Sequence, residues 1–201
     1  MRKIGILGGT FNPPHNGHIH AARQAQLALG LDGIVLMPDN IPPHKVLPDG
    51  SANTQQRLEM TRLAAQEIPG AEVSDLELRR GGRSYTVDTL TELTRQNPDT
   101  EYHFIMGTDM VLTLDKWYRP EEICRLCALA IVARDERDRA AIAEAVRKYR
   151  ADWDARIALV DCPALPMSST ALRGSKDAMA AMVPEPVLAY IREHRLYGWN
   201  K

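Results

Sequence analysis

The stretch KIGILGGTFNPPHNGHIHAARQAQLALGLDGIVLMP, residues 3–38, decides the fold. It opens with a short apolar run that ends in two glycines, continues through a turn rich in glycine, proline and histidine, and then takes on helical periodicity. Gly30 is expected to end that helix, and GIVLMP follows as a second buried strand. The stretch therefore predicts a strand, a turn, a helix and a second strand.

The same alternation continues along the rest of the chain. Further strands are predicted at 71–78, 101–107, 128–134 and 156–160, and further helices at 53–68, 84–96, 138–150 and 184–194. Strands that are apolar on both faces and alternate with helices predict a parallel sheet covered on both sides. We therefore expect an α/β, Rossmann-like, doubly wound parallel sheet with helices on both faces, a small helical C-terminal part and one domain over residues 1–201.

Three helices carry more detailed expectations. In the 53–68 helix, Asn53 and Gln56 are spaced for a capping box, and one face should bury its apolar residues. Pro184 should lie in the first turn of the C-terminal helix. The apolar residues expected on the buried faces of the 53–68 and 138–150 helices are Leu58, Leu63, Ala64 and Ile68, and Ile142, Val146 and Tyr149.

The three cysteines form an odd and sparse set, which favours a reducing compartment over a disulfide framework. Cys124 and Cys127 make a C-x-x-C within an apolar helical pattern, so we expect buried, inert thiols. A zinc site would need further ligands, of which Cys162 is the obvious candidate, and a redox pair would favour a strand-to-helix turn.

Composition limits the partners. The 201 residues are 44% hydrophobic, which is enough for a core, and 25 Lys and Arg balance 26 Asp and Glu. This balance lacks the basic excess of nucleic-acid-binding proteins, so a small-molecule partner is expected. No stretch has the length of a membrane span or the core of a signal peptide, which predicts a cytoplasmic protein with no membrane partner.

The turn after the first strand has the features of an anion site. Gly8 and Gly9 allow the backbone to approach a ligand closely, and the helix after Gly17 directs free N–H groups and its positive dipole end to the same place. The spacing matches neither the dinucleotide fingerprint nor the phosphate loop of kinases. Two prolines hold His15 outside the helix while His18 lies in its first turn, so both imidazoles can face a phosphate chain.

A second motif, SSTALR, runs from Ser168 to Arg173 after an extended segment that ends at Pro166. Ser168 or Ser169 can cap the following helix, and Arg173 projects from that helix as a cation able to fork onto phosphate oxygens. Taken alone, such serines are usually only a helix cap.

Together the two motifs resemble a known family. GGTFNPPHNGH (8–18) and SSTALR (168–173) are similar to the two signatures of the H-x-G-H nucleotidylyltransferase superfamily, and within it to bacterial nicotinate mononucleotide adenylyltransferases. IPPHK (41–45), SYTVDTL (84–90), GTDM (107–110) and KWY (116–118) also look like segments of this family. The resemblance implies direct in-line transfer of AMP from ATP to nicotinate mononucleotide, giving deamido-NAD and pyrophosphate in NAD biosynthesis.

The resemblance also implies residue roles. It implies that Trp117 stacks the pyridine ring and that N–H groups near Thr86 and Tyr118 face its carboxylate. The implied catalytic residues are His15, His18 and Arg173; the implied ATP-binding residues are Gly8, Gly9, Thr10, Phe11, Gly107, Asp109, Arg134, Ser168, Ser169 and Thr170; the implied mononucleotide-binding residues are Asn40, Lys45, Thr86, Trp117 and Tyr118. The chain departs from the family pattern at Asn12 (usually Asp), Thr108 (commonly Ala) and Gly174–Ser175 (often charged helix formers).

The reactants need no general base, because a nucleotide 5′-phosphate with a second pKa of about 6 is mostly dianionic at neutral pH. Mg²⁺ is expected to enter with ATP through phosphates and water, with no protein metal site. Alternatives that stay open are a nicotinamide mononucleotide or phosphopantetheine adenylyltransferase, and an ATP-binding sensor without turnover. A zinc protein built on His15, His18 and His20 is the least favoured, and a homo-oligomer is left open.

Overall fold

The structure is a computed structural model, and it describes residues 1–133, 139–162 and 169–199. Within these residues one or more helices separate each strand from the next, and short helices follow β6. The strands are β1 (Arg2–Gly9), β2 (Gly33–Pro38), β3 (Ala71–Val73), β4 (Thr100–Gly107), β5 (Ala128–Ala133) and β6 (Ile157–Asp161). The helices are α1 (Asn16–Leu29), α2 (Thr54–Ala65), α3 (Leu76–Arg80), α4 (Thr86–Gln96), α5 (Thr108–Val111), α6 (Pro120–Leu126), α7 (Arg139–Trp153), α8 (Ser169–Arg173), α9 (Lys176–Met182) and α10 (Glu185–Glu193), with 3₁₀ turns at Leu114–Lys116 and Leu196–Gly198.

The described strands form one six-stranded sheet in the order β3-β2-β1-β4-β5-β6. β1 runs parallel to β4, with Arg2 opposite Thr100 and Ile6 opposite Phe104, and β4–β5 and β5–β6 are also parallel. The order reverses beside β1, and sheets of this kind bind ligands at the carboxyl ends of strands next to such a reversal. The predicted α/β, Rossmann-like parallel sheet with a helical C-terminal part is confirmed.

The chain packs as two compact units. The first, called unit 1, comprises Met1–Leu7, Ala21–Ile34 and Tyr85–Leu165, and the second, unit 2, comprises Gly8–His20, Val35–Ser84 and Pro166–Lys201. Unit 2 thus gathers the segments that hold both sequence motifs. The assignment of residues 1–201 to one domain stays a prediction.

Local sequence signals account for several boundaries. α1 ends at Leu29 because Gly30 takes the left-handed conformation, with φ +58°, that stops a helix without a steric cost. At α2 the predicted capping box is confirmed, since the Asn53 side chain accepts a hydrogen bond from the Gln56 N–H and the Gln56 side chain accepts one from the Asn53 N–H. In α7 the predicted apolar residues are buried.

Some details of the sequence prediction are wrong. The predicted strand at 71–78 ends at Val73, and residues 76–80 form α3. The Ser74 hydroxyl accepts a hydrogen bond from the Leu76 N–H. This local bond between a side chain and the backbone forms a turn at a position where the apolar alternation predicted that the strand would continue. In α2 Leu63 is half-buried, and Arg57 is fully buried in the same helix. Pro184 precedes the first residue of α10 as its N-cap.

Cys124 and Cys127 are buried, as predicted, and Cys162 is buried as well. Cys124 lies in α6 and Cys127 directly follows that helix. Burial raises the pKa of Cys124 to about 11 and that of Cys127 to about 12, so neither thiol forms the reactive thiolate at neutral pH. Separately, none of the helices in the described ranges has the length and apolar character needed to cross a bilayer.

Candidate active site

The loop after β1 is built around a buried aromatic ring. Phe11 is 1% exposed and has a φ of +48°, a left-handed conformation that is strained for a bulky residue. A Cβ on Gly9 would lie only 3.3 Å from the Phe11 ring, so the glycine makes room for it. The ring meets His18 edge-on, with 5.1 Å between the ring centroids. Phe11 therefore supports one side of the His18 imidazole.

The two histidines of the motif form a stacked pair. Their ring centroids are 3.7 Å apart, with 29° between the planes, and His15 precedes α1 while His18 lies in its first turn. The backbone N–H of His15 donates to Nδ1 of His18 at 3.2 Å. Nδ1 must therefore carry a lone pair, and the neutral ring has its proton on Nε2. His18 thus offers an Nε2–H donor at the positive end of a helix.

The C-terminal motif is hydrogen-bonded to this loop. Ser169 Oγ donates to the Pro13 carbonyl at 2.9 Å, and Arg173 Nη1 donates to the Asn12 carbonyl at 2.7 Å. Arg173 Nη2 also donates to Thr170 Oγ1 at 3.2 Å. α8 ends at Arg173, and Gly174 follows in a turn. The guanidinium is held in place nevertheless, because both of its Nη atoms donate hydrogen bonds. The structure therefore brings His15, His18 and Arg173 into one compact unit.

A buried ion pair that the sequence did not reveal supports the same loop. Arg57 is 0% exposed, and its Nη1 donates to the Thr10 carbonyl at 2.8 Å and to Asp39 Oδ1 at 3.1 Å. Its Nη2 donates to the carbonyls of Asp39 and Asn40. Thr10 Oγ1 donates to Asp39 Oδ2 at 2.7 Å. The pair therefore joins the loop after β1 to the loop after β2.

A signal for this pair exists in the sequence, although it is weak. Asp39 directly follows β2, where polar side chains of a parallel sheet meet ligands or one another. Arg57, by contrast, is one charged residue within an amphipathic helix, and periodicity alone assigns such a residue to the solvent face.

The loop after β2 carries two of the predicted residues. The Asn40 N–H donates to Ser84 Oγ at 2.9 Å, and Asn40 Nδ2 donates to the Gly82 carbonyl at 3.0 Å. The pKa of Lys45 is lowered, first by burial and then by the nearby Arg173 and Arg57, while Asp39 opposes the shift. Lys45 thus interacts electrostatically with two further cations and with one carboxylate, an excess of positive charge suited to a polyphosphate.

Five further predicted residues lie in unit 1: Thr86, Gly107, Asp109, Trp117 and Tyr118. Gly107 is the N-cap of α5, and Asp109 is exposed in the first turn of that helix. Trp117 is half-buried, with its ring edge-on to Phe104 at 6.2 Å. Thr86 begins α4, and Tyr118 is 52% exposed, with its ring 4.9 Å from that of Tyr85. Arg134 and Ser168 fall outside the described residues.

Comparison with known proteins agrees with this geometry. Residues 6–175 match the model of the cytidylyltransferase-like family. A protein of Synechococcus sp. named "Probable nicotinate-nucleotide adenylyltransferase" is 43% identical over 98% of this chain and 95% of its own length. A protein of the same name from Oceanobacillus iheyensis is 38% identical over the full length of both chains. The chain belongs to the nicotinate-nucleotide adenylyltransferase family.

Solved structures support the same fold for this family member. The nicotinic acid mononucleotide adenylyltransferase of Plasmodium falciparum, solved in complex with NaAD, superposes with a TM-score of 0.81 at 18% identity, covering 100% of this chain and 99% of the other. The same enzyme in complex with APC gives a TM-score of 0.79 at 17% identity. These structures confirm the fold, while the family model and the relatives at 38–43% identity confirm the family resemblance carried by the two motifs. Among the described residues of this adenylyltransferase family member, no group of three His, Cys, Asp or Glu side chains is placed to hold a metal ion.

Proposed function

We propose that the protein transfers AMP from ATP to nicotinate mononucleotide, forming deamido-NAD and pyrophosphate in NAD biosynthesis. The observation that carries the proposal is the junction of the two motifs, in which Arg173 and Ser169 bond to the loop that presents His15 and His18. A helix start, two imidazoles and a fixed guanidinium in one place suit a triphosphate.

In the reaction a phosphate oxygen of the mononucleotide attacks the α-phosphorus of ATP, and the bond from that phosphorus to the bridging oxygen of pyrophosphate breaks. The attacking phosphate is already mostly dianionic, so no side chain has to remove a proton. His15 contacts the α-phosphate, and the Nε2–H of His18 donates to the phosphate chain. Arg173, Ser169 and Thr170 hold the β- and γ-phosphates, so catalysis consists of positioning and charge stabilisation.

The remaining roles are proposals carried over from the family resemblance. Gly8, Gly9, Thr10 and Phe11 border the nucleotide phosphates, and Gly107 and Asp109 bind the adenosine. Arg134 and Ser168, outside the described residues, are proposed to bind ATP. Asn40 and Lys45 meet the mononucleotide phosphate, while Thr86, Trp117 and Tyr118 hold the pyridine ring and its carboxylate.

Mg²⁺ is proposed to accompany ATP. Both carboxylate oxygens of Asp39 already accept hydrogen bonds, one from Thr10 and one from Arg57, so this carboxylate is occupied within the protein. Mg²⁺ would then enter with ATP through its phosphates and water, and it would supply neutralisation of the phosphate charge. An odd and sparse set of three cysteines is typical of a reducing compartment, so we place the reaction in the cytoplasm.

A substrate panel tests this function. Purified protein is given Mg·ATP with nicotinate mononucleotide, nicotinamide mononucleotide or phosphopantetheine, and pyrophosphate release and the adenylylated product are measured. We expect fast release with nicotinate mononucleotide, deamido-NAD in equal amount, and at least about tenfold slower release with the amide, because donors placed for a carboxylate lose a charged partner. Release with phosphopantetheine alone would identify a different adenylyltransferase, and ATP binding without release would identify a sensor.

A further inference from the structure

The side chain of Asn12 is a buried junction of three chain segments. Asn12 is 2% exposed, and its Oδ1 accepts hydrogen bonds from Tyr197 Oη at 2.6 Å and from the Ala52 N–H at 3.3 Å. Its Nδ2 donates to Ser51 Oγ at 2.8 Å, and Ser51 Oγ donates onward to the Pro48 carbonyl at 2.7 Å. The loop after β1, the loop after β2 and the C-terminal 3₁₀ turn therefore meet at one amide.

This junction explains why an amide suits position 12 of this chain. The Ser51 hydroxyl proton is directed to Pro48, so the group facing its oxygen from Asn12 must be a donor. An aspartate, the residue usual in the family pattern, would place an acceptor oxygen opposite Ser51 Oγ. On the other side of the side chain, Oδ1 requires donors, and Tyr197 supplies the shorter of the two bonds.

Backbone strain lies at both ends of the Tyr197–Asn12 bond. Phe11, directly before Asn12, has a φ of +48°, and Arg195 and Tyr197 have φ values of +54° and +55°. Left-handed non-glycine residues persist where the surrounding contacts fix them, and they cluster at functional sites. Burial raises the pKa of the Tyr197 phenol, so at neutral pH the hydroxyl keeps its proton and remains a donor.

We propose that Tyr197 is a positioning residue for adenylyl transfer. Its hydroxyl orients the Asn12 side chain, and the backbone carbonyl of the same Asn12 receives Arg173 Nη1 at 2.7 Å. Tyr197 thus acts through Asn12 to hold Arg173 in its orientation toward the triphosphate, although it does not itself touch the substrate. This inference rests on the function proposed above, and it assigns a role in that site to the C-terminal turn.

The test replaces only the hydroxyl. Tyr197→Phe is compared with Tyr190→Phe, a matched change on α10 where the ring stacks on His194. Both changes are made in the wild-type and in the Arg173→Ala background. For each protein kcat and KM for ATP are measured with nicotinate mononucleotide, together with the equilibrium Kd for Mg·ATP, which remains measurable where turnover is too slow.

We expect Tyr197→Phe to lower kcat/KM for ATP and to weaken ATP binding by roughly tenfold in the wild-type background, while Tyr190→Phe stays within about twofold. In the Arg173→Ala background the effect of Tyr197→Phe should disappear, because the guanidinium that it positions is gone. An equal loss in both backgrounds would show a merely structural role and overturn the proposal, as would a wild-type-like Tyr197→Phe enzyme. If the wild-type protein itself formed no adenylylated product, the proposed function would fail, and this inference with it.

Discussion

Arg173 Nη1 lies 2.7 Å from the backbone oxygen of Asn12, a residue 161 positions earlier in the chain. The contact joins a cation of the C-terminal motif to the loop that carries the histidine pair. Because Ser169 bonds to the neighbouring Pro13, the two ends of the site are held by two independent hydrogen bonds. The geometry of the proposed phosphate site is therefore set before substrate arrives, which would lower the entropic cost of orienting a triphosphate.

The first prediction concerns the shape of the Arg173 cation. Arg173→Lys keeps the charge, but an ammonium cannot reproduce a planar fork that bonds to Asn12 and Thr170 at once. We expect kcat/KM for ATP to fall roughly 10- to 100-fold, the size of one or two charge-assisted hydrogen bonds. Steady-state kinetics with varied ATP measures this. An unchanged kcat/KM would mean that only charge matters at this position.

The second prediction concerns the buried Arg57–Asp39 pair. Arg57→Met leaves the Asp39 carboxylate without its guanidinium partner and removes the bonds to the Thr10 and Asn40 carbonyls. We expect the free energy of unfolding to fall by about 3 kcal/mol or more. Urea denaturation monitored by circular dichroism provides the measurement.

Arg62→Met is the control for that prediction. Arg62 lies on the same helix, where its exposed guanidinium pairs with Glu59. Exposed pairs of this kind contribute little, so the unfolding free energy should change by less than about 1 kcal/mol. Equal effects of the two substitutions would mean that the buried pair does not stabilise the loops.

The third prediction is a pH dependence set by Lys45. Its pKa is lowered, mainly by burial, and a lysine is charged only below its pKa. If the charged form meets the mononucleotide phosphate, kcat/KM for the mononucleotide should decline as the pH rises through this lowered pKa. The corresponding alkaline decline of kcat should lie at higher pH than that of kcat/KM, because a bound phosphate raises the pKa of Lys45.

Lys45→Arg and Lys45→Met separate charge from size. The guanidinium stays charged across the accessible pH range. The Lys45→Arg variant should therefore keep its activity and lose the decline of kcat/KM at alkaline pH. Lys45→Met should be slow at every pH. If the Lys45→Arg variant kept the wild-type decline of kcat/KM at alkaline pH, that decline would belong to another titrating group.

Much of the fold was predictable because it rests on local patterns. The periodicity of residues 3–38 predicts β1, α1 and β2, and the strand GIVLMP is observed with the predicted bounds, Gly33–Pro38. The Asn53–Gln56 capping box and the left-handed Gly30 are also short-range signals, and both are observed. The motifs likewise located the histidine pair and Arg173, because each motif is contiguous in sequence.

What the sequence did not reveal depends on long-range contacts. Arg57 is buried because Asp39 and three backbone carbonyls surround its guanidinium, and no local pattern encodes that environment. Tyr197 reaches Asn12 across 185 positions, through a turn whose strained φ values no periodicity indicates. The error at Leu76 lies at a local feature instead, since the Ser74 hydroxyl accepts a hydrogen bond from the Leu76 N–H where α3 begins.

The most direct test of the account compares deamido-NAD formation by the wild-type protein and by His18→Ala, with Mg·ATP and nicotinate mononucleotide at saturation. His18 supplies the Nε2–H fixed by its bond from the His15 N–H, and its ring is only half-buried, so the fold should survive its removal. We predict rapid product formation by the wild-type protein and a loss of about 10³-fold or more in the variant, with an unchanged circular dichroism spectrum. A variant that makes deamido-NAD at nearly the wild-type rate would contradict the account.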